Sequence, residues 1–158
     1  MRNIIDTFDG DYAFLSNFYE HPFEFDGVIY RTAEHAFQAW KATNEHDRQM
    51  IINAATPGQA KRLGRKISLR PDWEQIKETV MLDIVRAKFA DPELGQMLMN
   101  TGDAYLIEGT TWHDNIWGNC SCDRCKNIEG KNYLGKILMS VRQDLIQLTP
   151  DEFIPCKK

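Results

Sequence analysis

The order of apolar and polar positions divides the chain into short elements. Phe23-Glu24-Phe25 and Val28-Ile29-Tyr30 form two β-prone arms about Asp26-Gly27, a strong local signal for a hairpin. Thr32 then stands where the N-cap of a helix carrying Glu34, Gln38 and Lys41 belongs. Further helices are expected at about 45–54 and 57–66, with Pro57 suited to a first helical turn. Trp73, Ile76, Val80, Ile84 and Val85 recur at helical spacing and predict a long helix over 73–89. Pro92 restarts a helix to about residue 100. Ala104 to Glu108 reads as a short strand, and Leu134, Ile137, Leu138, Val141 and Leu145 define a C-terminal amphipathic helix. Helices dominate. The expected fold class is α+β: a compact, mainly helical single domain over residues 1–158 with a small β-sheet or hairpin.

Within the first helix, polar residues are arranged unusually. At about 100° per residue, positions 38 and 41 both fall within roughly 40° of position 34. A carboxylate, a carboxamide and an ammonium therefore share one narrow stripe, while Phe37 and Trp40 point elsewhere and can pack. A solvated Glu–Lys pair is the plain account of such a stripe. Two further segments also set polar groups among aromatics and glycines. Phe14-Leu15-Ser16-Asn17-Phe18-Tyr19 places Ser16 and Asn17 inside an aromatic run, where a backbone-bonded turn would also put them. The other is Trp112-His113-Asp114-Asn115-Ile116-Trp117-Gly118, followed by Gly130-Lys131-Asn132-Tyr133-Leu134-Gly135-Lys136. Tryptophans covering a core would explain part of it.

Composition narrows the function classes. A chain of 158 residues with 42% hydrophobic and 27% charged side chains is an ordinary globular composition, long enough for a substantial core. It has no apolar run of membrane-spanning length and no basic-then-apolar leader, so a cytoplasmic location is expected. A net charge of −4 argues against a broad nucleic-acid-binding surface. It leaves room for a small phosphorylated ligand, which needs only a few local donors.

Cys120, Cys122 and Cys125 cluster in a polar loop, and Cys156 lies near the C-terminus. A reducing cytosol makes a disulfide the less natural use. Three thiolates at this spacing could hold a structural zinc if His113 or Cys156 supplied a fourth ligand. Reduced thiols in an insertion are the alternative, because the second Cys pair of a zinc ribbon is missing. A metal clip here would fix how the segments on either side approach each other.

The motifs occur in a specific order: FLSNFY, Y-x-x-x-EH-x-x-Q-x-x-K, AK-x-LGR, W-x-x-x-K-x-x-x-M, AKF, LIE, D-x-x-WG and GKN-x-LGKILM-x-VR. In this order the chain resembles the NADAR family, which includes YbiA-like N-glycosidases, from about Phe14 to Arg142. The resemblance implies a compact, largely helical domain and hydrolysis of an N-glycosidic bond with no cofactor required for catalysis. It also implies a phosphorylated ribosyl substrate, such as an early riboflavin-pathway intermediate, or ADP-ribose attached to a guanine base.

The chemistry suits the residues. Cleaving an N-glycosidic bond develops positive charge on the ribose carbon and ring oxygen, which a carboxylate can stabilise. Glu34 and Asp114 are the best-placed carboxylates by motif context. Asn17, Gln38 and Asn132 can orient ribose hydroxyls without adding charge. Trp117 offers a flat face to a heterocycle, and Gly118 permits close backbone approach. Lys41, Lys61 and Arg65 are cations for a phosphate, although a solvated helix face also accounts for the last two. Trp73 and Met81 read as core. Lys41 has two open roles, as a cation beside water attack or as an amine that captures ribose C1′ as a Schiff base. Burial would free that amine, and Glu34 would hold it charged. A non-catalytic ADP-ribose or nucleotide-binding module is the alternative function, and a zinc-stapled interaction protein a third. The presence of both Glu34 and Asp114 favours catalysis.

Overall fold

The computed structural model describes residues 2–148. In chain order its elements are β1 (Ile4–Ile5), a 3-10 helix (Gly10–Leu15), β2 (Phe23–Phe25), β3 (Val28–Tyr30), α1 (Ala33–Ala39), α2 (Glu45–Ile52) and α3 (Pro57–Gly64). There follow α4 (Trp73–Phe89), α5 (Pro92–Met99), β4 (Tyr105–Leu106), β5 (Gly109–Thr110), β6 (Asn119–Cys120) and α6 (Tyr133–Leu148). The mixed, helix-rich class is the expected one. The elements group into two compact units, a central one of Asn17–Lys88 and a terminal one built from the segments up to Ser16 and from Phe89 onward.

The central unit begins with the Asp-Gly hairpin. β2 and β3 pair antiparallel, with Phe23 opposite Tyr30 and Phe25 opposite Val28. Asp26 and Gly27 have φ of 50° and 77°, the left-handed pair that a tight hairpin turn requires. Thr32 caps α1 by accepting the His35 N–H on its side chain, and every residue of α1 is buried. That burial is unusual for a helix with three polar members, and each of them is tied down. His35 is fully buried, its ring 2.7 Å from Thr32 Oγ1 through Nδ1 and 3.0 Å from the Ala54 carbonyl through Nε2. Asn44 and Thr56 cap α2 and α3 in the same manner as Thr32. α4 runs over the predicted residues and buries Trp73, Val80, Met81, Ile84 and Val85.

His35→Phe keeps the bulk of the ring and removes both polar contacts. The Ala54 carbonyl is then left with only the longer 3.4 Å contact from Arg31 Nη1, so stability is expected to fall by about 1–3 kcal/mol. Urea unfolding measures this, and an unchanged midpoint would show that the ring does not tie α1 to the end of α2.

In the terminal unit β1 pairs parallel with β4, placing Ile4 beside Tyr105 and Ile5 beside Leu106. A second parallel pair joins β5 to β6, with Gly109 beside Asn119 and Thr110 beside Cys120. Phe14, Leu15, Phe89, Leu94, Leu98, Leu106, Leu134 and Leu138 are buried here, and Phe14 meets Phe89 edge to face at 6.4 Å. The expected strand over 104–108 is shorter, because the Glu108 N–H goes to Asn132 Oδ1 rather than to a strand. The helices expected to reach residues 54 and 66 stop at Ile52 and Gly64. No helix among the described residues is long and apolar enough to cross a membrane.

Candidate active site

The stripe read from α1 forms a polar cluster inside the central unit. Glu34 is 7% exposed and Gln38 4%, and Gln38 Nε2 donates to Glu34 Oε1 at 2.7 Å. The Glu34 N–H donates to the Asn17 carbonyl at 3.0 Å, which fixes the start of α1 against the FLSNFY segment. Asn17 also donates from Nδ2 to Met81 Sδ at 3.6 Å. Lys41 lies just beyond α1, half-buried, with Nζ 5.4 Å from the Phe37 ring centroid and 5.9 Å from that of Trp73. Phe37 and Trp73 pack together at 5.0 Å, so the aromatics shield the amine from one side. Lys61, half-buried on α3, stands 5.9 Å from the ring of Phe18, which is 43% exposed. Arg65 is exposed at the C-cap of α3.

Electrostatics sharpen the cluster. Burial raises the Glu34 carboxyl above the ordinary carboxylate range, opposed by the Gln38 hydrogen bond and the charges of Lys61 and Lys41. Burial lowers the Lys41 ammonium, opposed by Glu34 and reinforced by Lys61, Arg65 and Lys77. A carboxyl that resists ionisation therefore sits near an amine that resists protonation. Such paired displacement is typical of acid–base and nucleophilic sites. On Lys41 the competition between burial and Glu34 resolves in favour of burial.

One residue of this cluster escaped the sequence reading. Gly64, the glycine of AK-x-LGR, lies against the Gln38 side chain. A methyl group built there would overlap Gln38 Oε1 and stand 2.8 Å from its Cδ. Gln38 Oε1 itself is buried with no hydrogen-bond partner among the described residues. The signal was available, since a glycine within a helical pattern costs stability and asks for a packing reason.

The terminal unit holds the remaining candidates, and there most polar groups are engaged with backbone. Asp114 Oδ1 accepts the N–H groups of Ile116 and Trp117 at 3.1 and 2.9 Å. Asn132 is buried with φ of 50°, donating to the Leu106 carbonyl at 2.9 Å and accepting the Glu108 N–H at 3.0 Å. The close approach that Gly118 permits is to the Glu108 carbonyl and to Thr110 Cγ2, 2.7 Å from a would-be methyl. Trp117 is half-buried and meets Tyr133 edge-on at 6.1 Å. His113, Cys120, Cys122 and Cys125 form a group that could hold a metal ion, with ligand atoms all within 4.8 Å of one another. Cys156, the other candidate fourth ligand, lies outside the described residues.

Comparison with known proteins identifies the family. The family model of the NADAR domain matches residues 6–146, a stretch that runs through both units. The N-glycosidase YbiA of Shigella flexneri is 41% identical over 146 residues, covering 90% of this chain and 87% of the relative. An N-glycosidase of Nostoc punctiforme is 36% identical over 143 residues, covering 87% of this chain and 88% of its own. A riboflavin biosynthesis protein of Vibrio vulnificus is 34% identical over 145 residues, which make up 90% of this chain and 38% of that longer protein. The NMR structure of Escherichia coli YbiA superposes with a TM-score of 0.80 at 35% identity, covering 99% of this chain and 94% of that one. With its motifs, its fold and its relatives in agreement, the chain belongs to the NADAR family.

Proposed function

We propose that the protein is an N-glycosidase acting on a phosphorylated ribosyl compound, either a riboflavin-pathway intermediate or ADP-ribosylated guanine. The observation that carries this reading is the buried Glu34, held by Gln38 within the field of Lys41 and Lys61. The names of the relatives support the same chemistry, N-glycosidase for two and riboflavin biosynthesis protein for another. Glu34 stabilises the oxocarbenium-like charge on the ribose, and Lys61 with Arg65 supplies positive charge for a phosphate. Trp117 is the candidate platform for a flat heterocycle, held by the Asp114 turn. No step of this reading passes through the His/Cys cluster, which we take as a structural zinc position.

Lys41 fits the covalent route. Its amine, lowered by burial, attacks C1′ as the C1′–N bond breaks. The departing base takes the proton shed by the amine. The ring oxygen takes a proton from solvent as the C1′–O4′ bond opens to an iminium, and water then releases free sugar and regenerates the amine.

The test is a panel of ribosylated metabolites and ADP-ribosylated DNA with released base read by mass spectrometry, run with and without borohydride. Base release with a ribosyl adduct on Lys41 is the expected result. Release without an adduct during rapid turnover would replace the lysine route by direct water attack. Tight ADP-ribose binding with no release from any substrate would make the protein a binding module instead.

A further inference from the structure

We infer that His113, through Nδ1, completes a Cys3His zinc site with Cys120, Cys122 and Cys125, and that the bound zinc clamps the loop presenting Trp117. This rests on the structural-zinc reading of the cluster and is independent of the role of Glu34.

The ligand set follows from the local topology. The parallel pairing of β5 with β6 sets Thr110 beside Cys120, so the turn after β5 returns His113 to the same place. The His113 N–H donates to Cys120 Sγ at 3.3 Å, while Nδ1 lies 3.2 Å from Cys122 Sγ and 3.4 Å from Cys125 Sγ. A tight turn, in which the Cys125 and Lys126 N–H groups both donate to the Cys122 carbonyl at 2.9 Å, turns the last two thiols toward the first. Zn–S bonds of about 2.3 Å and Zn–N bonds of about 2.0–2.1 Å make tetrahedral edges of roughly 3.5–3.8 Å. The observed spread of up to 4.8 Å needs only a small contraction to reach that shape. Nδ1 is thus the one imidazole atom placed to complete the tetrahedron.

Backbone conformation points the same way. His113 has φ of 67°, a left-handed conformation that a non-glycine residue adopts at some cost. A structural role for the side chain is the usual reason such a cost is retained, and binding a metal is strong enough to offset it. Four protein ligands close the coordination sphere, which makes the site structural rather than catalytic.

The consequence concerns Trp117. Residues between His113 and Cys120 form a loop closed at both ends by the metal. Inside it Asp114 holds the Trp117 N–H, and Asn115 Oδ1 accepts the Cys120 N–H at 2.9 Å. Zinc therefore limits the freedom of the segment that carries the indole. Without it the loop keeps its hydrogen bonds but loses the closure that makes them cooperative.

Protein purified without chelator should contain about one zinc per chain, and tetrahedral cobalt put in its place should show thiolate charge-transfer bands. His113→Ala, at an exposed position, should fold and lose zinc affinity by at least about a hundredfold, while His113→Cys should retain the metal with an altered cobalt spectrum. Chelation should change tryptophan emission in the wild type and leave it unchanged in Trp117→Phe. Less than about a tenth of an equivalent of zinc in the wild type would overturn the structural-zinc reading itself. Zinc held as tightly by His113→Ala would overturn the ligand assignment alone, and emission indifferent to chelation would overturn the clamp. None of these readouts depends on turnover.

Discussion

Glu34→Gln is expected to lower turnover by about 10²–10³-fold while leaving the fold at least as stable as the wild type. The substitution keeps the shape of the side chain and an oxygen that can accept from Gln38 Nε2, now 2.7 Å from Glu34 Oε1. What disappears is the negative charge that stabilises the positive charge developing on the ribose. Loss of one such preorganised contact accounts for the magnitude. Stability moves the other way because burial raises the Glu34 carboxyl above its ordinary range. Between the unfolded and folded titrations, the native state holds a proton that the unfolded chain has already lost. Stability of the wild type therefore declines as pH rises from the ordinary carboxylate range through the raised one, and the glutamine variant lacks that decline. The same change removes the charge that opposes deprotonation of Lys41, so lost turnover would not reflect a lost nucleophile. Turnover on the best substrate, paired with urea unfolding at several pH values, measures both halves. Wild-type turnover in the variant would make Glu34 purely structural.

Much of this site was legible because its signals are local. The 34/38/41 stripe depends only on helical spacing, the hairpin on two adjacent turn residues, and the α1 start on one threonine. The terminal unit was less legible for the opposite reason. β1, β5 and β6 are two residues each, too short for alternation to register, and the parallel partner of β1 lies far along the chain. Asn132 and Asp114 looked like ligand-facing polar groups. The partners that engage them, the Leu106 carbonyl, the Glu108 N–H and the N–H groups of Ile116 and Trp117, are backbone atoms, which residue identity does not reveal. Gly118 promises a close approach, and the neighbour it admits in this structure is the Glu108 backbone. Glycine announces a close approach without saying to what.

Gly64 shows how a glycine can act on a carboxylate it does not touch. Its bare Cα lets the Gln38 carboxamide lie flat against α3 while Nε2 reaches Glu34. In Gly64→Ala the new methyl occupies the place of Gln38 Oε1, so the carboxamide must turn away and the bond to Glu34 is lost. A hydrogen bond to a charged group is worth about 1.5–3 kcal/mol, which corresponds to a fall in turnover of roughly 10–100-fold if the bond matters in the transition state. The pH profile carries the sharper test. That bond lowers the Glu34 pKa against the burial that raises it, so its loss lets the pKa climb further. If the carboxylate is the working form, the acid limb of kcat/KM moves to higher pH, whereas general loosening of the fold would lower the rate without moving the limb. Gln38→Ala in the same background supplies the control. Once the carboxamide is gone the methyl has nothing to displace, so the double variant should be no slower than Gln38→Ala alone. Additive losses, or an acid limb that stays in place, would show that Gly64 serves only the packing of α3 on α1.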